Sequence, residues 1–357
     1  MNAARHRVAI IGCGRQGQRY AEAYLAYPDT QIVALVEPNA ARRRVVAERF
    51  GVKAHYPDVP SMLNGVVPDV AAVVTPARYT KDAVIACAEA GVRGVSTEKP
   101  IGGVLADADE MVTACAERGV VFSGGCLQSA MHEVQEVAAR LGRGDYGQLS
   151  GAAIHGFSGE IVGGCCQHIC VLRLLMHADI DRVTAWGGPP ESLQGDTDGD
   201  LNLPGWWRLT NGVVCAVFGT NSMSRGVEVW NDQALVRWDW GPPQVFRGLD
   251  GTGARVPIDP HYETYPFSEF GYMTGAIRSL LRAIETGSDP WVTGHDLRQA
   301  LEVAIAARQS ALLGQAEIRL PLEDRTLRLY PTPYRWSGGD ASGAPQPIEE
   351  AASGRRA

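Results

Sequence analysis

Three glycines, a glutamate and a lysine carry the chemistry most readily read from this sequence. Gly12, Gly14 and Gly17 stand as G-x-G-x-x-G, directly after the run Val8–Ile11 and directly before a helical pattern. In that setting the motif cradles a pyrophosphate. Gly12 makes the tight turn, Gly14 lets the backbone approach the ligand, and Gly17 lets the helix pack close on the strand. Cys13, Arg15 and Gln16 belong to the same loop. The N–H groups and dipole of the helix N-terminus favour the negative charge. About twenty residues on, Gln31–Glu37 reads as a second strand ending in an acid, where a dinucleotide fold accepts the ribose hydroxyls and repels a 2′-phosphate. Glu37 therefore favours NAD, with NADP left open. Arg42, Arg43 and Arg44 follow a helix start at Asn39 and are expected to form a solvated face beyond the ribose.

Two further loops leave strand ends, where open parallel sheets bind their ligands. One is Thr75-Pro76 and the other Glu98-Lys99-Pro100. Pro100 biases Lys99 toward extended backbone. Spacing alone leaves two readings open for Lys99, a group at the cofactor crevice or a surface lysine in a turn.

The elements that must hold these groups follow from periodicity. Strands at Val8–Ile11, Ile32–Val36, Val70–Val74, Gly94–Thr97 and Val120–Ser123 alternate with helices such as Asn39–Phe50, Lys81–Ala90 and Ala106–Arg118. This is α/β alternation and predicts a doubly wound, Rossmann-type parallel sheet. After about Leu149 the pattern changes. A strand at Leu149–His155 and a helix at Cys165–His177 precede strands at Arg182–Trp186, Trp207–Leu209, Val213–Gly219, Gly226–Trp230, Ala234–Trp238 and Gln244–Arg247. Asn211-Gly212 between two apolar runs signals a hairpin. The expectation is a second, α+β domain with an open, mainly antiparallel sheet, followed by helices near Glu269–Glu285 and Gly294–Leu313. The division expected is residues 1–125 for the dinucleotide, 126–336 for substrate and oligomerisation with the last helices free to pack back, and a flexible tail over 337–357.

Composition narrows the class. A net charge of −7 argues against a nucleic-acid partner. No apolar run is long enough to cross a membrane, and the polar N-terminus reaches a strand by Val8, which leaves no room for a signal peptide. The 8 cysteines then read as reduced thiols in a cytoplasmic protein.

Gly12–Gly17, Glu37, Thr75-Pro76, Glu98-Lys99-Pro100 and the segment beginning Gly294-His-Asp-Leu-Arg resemble the Gfo/Idh/MocA oxidoreductase family over most of the chain. The resemblance implies a nicotinamide cofactor, a carbohydrate-like or cyclitol substrate, and a homodimer or homotetramer formed through the C-terminal sheet. It implies that Lys99 contacts the reacting hydroxyl. The family's Asp-x-x-x-His-x-x-Asp segment matches at His168, which becomes the acid/base, while Gly164 and Val171 stand where the aspartates are expected. Thr80 replaces a histidine common in the Thr-Pro loop. Gln128, His132 and Glu133 fall where the family lines its substrate cleft, and Tyr262 and Tyr265 are further candidates.

Two other constellations have competing readings. Asp196-x-Asp198-x-Asp200 opens like a calcium loop, but Leu201 and Trp207 stand where an EF-hand needs Gly and Glu. It reads as a solvated acidic loop, or with Glu191 as an attractor for a cationic substrate such as an amino sugar. Trp206 and Trp207 offer faces for a sugar or an ammonium group, or pack in the core. Cys165, Cys166, His168 and Cys170 lack the convergence of four ligands that zinc needs, so no metal is expected. The function expected is an NAD-dependent dehydrogenase or ketoreductase, acting on a ring secondary alcohol or ketone of a sugar, cyclitol or amino sugar, an aminoglycoside-type intermediate included. The alternatives are an NAD-dependent glycoside hydrolase using transient oxidation, and a non-catalytic dinucleotide-sensing regulator.

Overall fold

The computed structural model describes residues 6–219, 225–264 and 272–332. The chain divides into two compact units. The first runs through Gly125 and takes in a later segment ending at Arg298; the second starts at Cys126 and takes in Gln299–Pro331.

In the first unit β1 (His6–Ile11), α1 (Arg15–Ala26), β2 (Thr30–Val36), α2 (Ala40–Phe50), β3 (His55–Tyr56), α3 (Val59–Gly65), β4 (Val70–Val73), α4 (Ala77–Glu89), β5 (Gly94–Glu98), α5 (Leu105–Glu117) and β6 (Val121–Gly125) alternate. Among the described residues they form a six-stranded parallel sheet ordered β3-β2-β1-β4-β5-β6. Val8–Ile11 and Val70–Val73 are buried throughout, as strands covered on both faces must be. The order reverses between β1 and β4, which places a ligand crevice at their carboxyl ends. α2 starts and stops on local chemistry: Asn39 accepts from the Ala41 and Arg42 amides, and Gly51 closes the helix at φ 65°. A later helix, α9 (Met273–Thr286), lies on β5. Gly94 permits this, since a Cβ there would stand 2.5 Å from the Ile284 side chain.

The second unit holds α6 (His132–Gly142), β7 (Gly151–His155), α7 (Cys166–Met176), β8 (Ile180–Ala185), α8 (Pro190–Gln194), β9 (Gly205–Leu209), β10 (Val214–Phe218), β11 (Gly226–Trp230), β12 (Ala234–Trp238), β13 (Gln244–Leu249), β14 (Arg255–Ile258) and β15 (Ile318–Arg319). α10 (Gly294–Leu312) contributes residues to both units. Among the described residues the second sheet has nine strands in the order β14-β13-β12-β11-β7-β10-β9-β8-β15. Only β7 and β10 pair in parallel among these neighbours. Gly212, at φ 86°, turns β9 into β10 as an antiparallel hairpin. One face of this sheet buries Trp207, Cys215, Val217, Val227, Val229, Val236 and Trp238, while Trp206, Val214 and Phe218 of the opposite face are exposed. Period-two alternation on a one-sided sheet produces that division. No helix among the described residues is long and apolar enough to cross a membrane. Tyr265 and the expected tail over 337–357 lie outside the described residues.

Candidate active site

The three loop glycines have different reasons for lacking a side chain. Gly12 sits at φ +97°, and a Cβ on it would lie 2.2 Å from the Val74 carbonyl oxygen. A Cβ on Gly17 would lie 1.9 Å from the Gly12 oxygen. Both are demanded by the protein's own packing. Gly14 has nothing within 4 Å of the corresponding point, and it opens α1 without a side-chain cap. The space beside Gly14 is therefore reserved for something other than this chain, which fits a dinucleotide pyrophosphate at the helix N-terminus. Gly17→Ala is expected to destabilise the fold by about 3 kcal/mol or more. Gly14→Ala should leave the urea midpoint near wild type and weaken NAD binding about ten- to a hundredfold, the cost of a methyl group in a filled contact. Calorimetric NAD titration of both variants checks the contrast.

Glu37 ends β2 beside this loop and is 4% exposed. One carboxylate oxygen accepts from the Cys13 amide at 3.1 Å. The other accepts from the Asn39 amide at 3.0 Å and from Arg42 Nη1 at 3.3 Å. Arg43 Nη1 donates to the Glu37 carbonyl at 2.6 Å. This corrects the expectation of a solvated arginine face. Arg42 is buried and pairs with Glu37, because it occupies the first turn of α2 and helical side chains lean toward the N-terminus; Arg44 alone of the three is exposed. Cys13 is buried, its thiol directed at the Val36 carbonyl, and burial raises the thiol pKa far above its ordinary range.

Thr75 and Thr80 share a hydroxyl hydrogen bond of 3.2 Å, and Thr80 also reaches the Pro76 carbonyl at 3.4 Å. Thr80 thus braces the Thr-Pro loop. Glu98 accepts from Gln16 Nε2 at 3.1 Å and from the Lys99 amide at 3.2 Å. Burial pushes the Glu98 carboxyl pKa up, against the opposing pull of the Lys99 charge and the Gln16 amide. The glycine loop and the Glu-Lys-Pro turn are therefore tied together through Gln16 and Glu98. β6 approaches so closely that a Cβ on Gly125 would lie 2.3 Å from the Lys99 amide nitrogen.

In the second unit His168 lies on α7 and is 3% exposed. Neither ring nitrogen has a hydrogen-bond partner among the described residues. Its ring meets Trp238 edge-on at 5.6 Å and Trp240 at 5.5 Å, and the two indoles lie 5.4 Å apart. Burial, with Arg225 and His155 adding to it, lowers the imidazole pKa to about 3, so the ring is neutral at physiological pH. A buried structural histidine normally satisfies its ring nitrogens; this one presents two polar atoms with nothing among the described residues to meet them. Gln128 adds a third, since its Oε1 is buried and unpartnered among the described residues while its backbone amide donates to Gln167 Oε1 at 3.1 Å, one residue from His168. His132 opens α6 and is buried.

Residues 6–126 match the model of an oxidoreductase family with an NAD-binding Rossmann fold. Over these residues the chain resembles the Gfo/Idh/MocA oxidoreductases. It is 29% identical to D-apiose dehydrogenase of Paraburkholderia graminis, over 87% of this chain and 89% of that one. It is 28% identical to D-glucoside 3-dehydrogenase of Escherichia coli over 40% of this chain and 41% of the other. Its fold resembles that of levoglucosan dehydrogenase solved with NADH, at a TM-score of 0.75 and 19% identity, over 88% of this chain and 99% of that one.

The departures from the Gfo/Idh/MocA pattern acquire a physical meaning here. A Cβ at Gly164 would lie 3.2 Å from Glu160 Oε2. The Glu160 carboxylate thus packs against residue 164, four residues earlier in the chain than the position of the family's aspartate. Asp198 is not solvated, which corrects the acidic-loop reading. It is fully buried, and one oxygen accepts from the Val162 and Gly163 amides at 2.9 and 3.3 Å, fixing the turn that leads into α7. Trp207 is corrected as well. It is buried against Phe157 at 4.9 Å, edge to face, and has no free face for a sugar. Trp206, its neighbour on β9, points the other way and is 53% exposed. The Tyr262 hydroxyl donates to the Pro243 carbonyl. The Cys126 and Cys166 thiols donate to the carbonyls of Cys166 and Gly163. Trp238, Trp240 and Glu160 were not anticipated. Trp238 ends β12, and Trp240, two residues on, takes a left-handed φ of 59°.

Proposed function

We propose that this oxidoreductase is an NAD-dependent dehydrogenase or ketoreductase acting on a secondary alcohol or ketone of a sugar or cyclitol ring. The observation that carries this is His168: a neutral imidazole, buried under two indoles, with both nitrogens unused by the protein. Bound NAD supplies the hydride acceptor. The ammonium group of Lys99 stabilises negative charge developing on the substrate oxygen. His168, neutral at physiological pH, accepts the hydroxyl proton. The Trp238 and Trp240 rings exclude water from the imidazole and present apolar edges suited to the C–H face of a sugar ring. Gln128 Oε1 accepts a second hydroxyl.

The sugar-dehydrogenase names of the relatives support the substrate class. The case for an amino sugar is weaker than the sequence suggested, because Asp198 is committed to backbone amides. The test is NADH production across a panel of aldoses, anhydrosugars, inositols and amino sugars; a protein that binds NAD and turns over none of them would stand instead as a dinucleotide sensor. The exposed sheet face with Trp206 (53%), Val214 (50%) and Phe218 (48%) supports self-association through this sheet. Trp206→Glu is expected to shift the sedimentation coefficient to that of a smaller assembly.

A further inference from the structure

A second polar cavity lies wholly within the second unit, away from the residues assigned above. It has a volume of about 440 Å³ and is lined by Gln194, Asp196, Thr326 and Arg328 around Arg308. Arg308, on α10, is 6% exposed. Among the described residues its hydrogen bond runs from Nη1 to the Gly195 carbonyl at 2.6 Å, and Nε is buried with no acceptor. A guanidinium carries five N–H donors in a fixed fork and does not deprotonate. Burying it unpaired is strongly unfavourable, so such groups are found with an anion. Among the described residues no carboxylate pairs with it. Asp196 acts on Arg308 through its charge without forming an ion pair, and its contact with Arg328 is a loose 3.9 Å. Arg328, 63% exposed, stands at the mouth. The wall is held by paired backbone: the Tyr330 amide donates to the Asp196 carbonyl at 2.6 Å, and the Asp198 amide to the Tyr330 carbonyl at 3.0 Å.

We propose that this cavity binds a small polyol bearing an oxyanion, a sugar phosphate or a sugar acid. The oxyanion completes the Arg308 fork and is shared with Arg328. The carboxylate of Asp196 and the amide of Gln194 meet hydroxyls. The volume is within the range of small-molecule sites and exceeds what a bare phosphate fills. The assignment is independent of the dehydrogenase reading, since neither the glycine loop nor His168 takes part.

The test is thermal denaturation and calorimetric titration of the full-length protein with glucose 6-phosphate, gluconate and, as the neutral control, glucose. At millimolar concentration at least one anion raises Tm and glucose does not; which anion does so assigns a phosphate or a carboxylate ligand. Arg308→Met and Arg328→Gln each weaken that binding about tenfold or more, as expected for loss of charge-assisted hydrogen bonds. Asp196→Asn tightens it, and NAD affinity is unchanged in all three. Arg328 is exposed, so its variant carries the test if Arg308→Met does not fold. The proposal is overturned if neither anion shifts Tm, if binding survives both arginine variants, or if saturating NAD abolishes it, which would place the anion at the glycine loop.

Discussion

Lys99→Met is expected to lower kcat by about a hundred- to a thousandfold, the loss typical of removing one preorganised donor from a developing oxyanion. Methionine keeps the apolar stem and removes only the ammonium group, so packing changes little. The backbone of residue 99 is fixed independently of its side chain, by the Glu98 carboxylate on its amide and by the close approach of Gly125. NAD affinity should therefore stay within a few-fold of wild type, because the glycine loop and Glu37 are untouched. Lys99→Arg restores charge but not the compact geometry of the ammonium, and is expected to recover only part of the rate. Steady-state kinetics on whichever substrate the panel yields, with calorimetric NAD titration alongside, decide the matter. Full turnover in Lys99→Met would remove Lys99 from the chemistry and return it to the reading of a surface lysine.

Acid should unfold this protein partly through His168. Its pKa is lowered to about 3 in the folded chain, against about 6.5 for an unperturbed histidine. Between these values the unfolded chain holds a proton that the folded one does not. Stability from this group is therefore complete above about pH 6.5 and is lost as pH falls toward the folded value. From pH 7 to pH 5 the loss amounts to about 2 kcal/mol, from a slope of about 1.4 kcal/mol per pH unit. His168→Leu fills the space between the indoles with a group that does not titrate. Urea unfolding at the two pH values should show the variant losing about 2 kcal/mol less than wild type. Parallel losses would mean that His168 is hydrated and ordinary in solution. A related kinetic expectation is that the pH profile of turnover has no inflection from His168 near the pKa of free imidazole.

The half of the molecule that binds the dinucleotide was legible because its signals are local. Glycine spacing, the acid after β2 and the Glu-Lys-Pro turn after β5 each lie on a strand end, and strand after helix leaves a single topology. The short elements escaped. β3 is two residues, His55–Tyr56, and β15 is Ile318–Arg319, too short for any period to register. α3 and α6 were missed as helices, and only residues of the latter were singled out. The substrate side was legible only in fragments, because its geometry is non-local. Nothing near Gly164 in the pattern announces that the Glu160 carboxylate packs against it. Asp198 resembled a solvated acid because the Val162 and Gly163 amides that claim it lie more than thirty residues earlier. Trp206 and Trp207 were a different case. Once both lie on one strand, alternation forbids them to share a face, so the pair could have been divided from sequence into one core indole and one exposed indole.

The buried Glu37–Arg42 pair binds the choice of nucleotide to the survival of the fold. Most changes of cofactor preference can be made on a loop at small cost. Here the carboxylate that we propose reads the ribose is also the counter-ion of an arginine that is 3% exposed. Neutralising Glu37 alone leaves that guanidinium without its carboxylate, a defect of about 3–5 kcal/mol when one partner of a buried pair is removed. A change of nucleotide preference made at Glu37 is therefore expected to lower the stability of the fold as well.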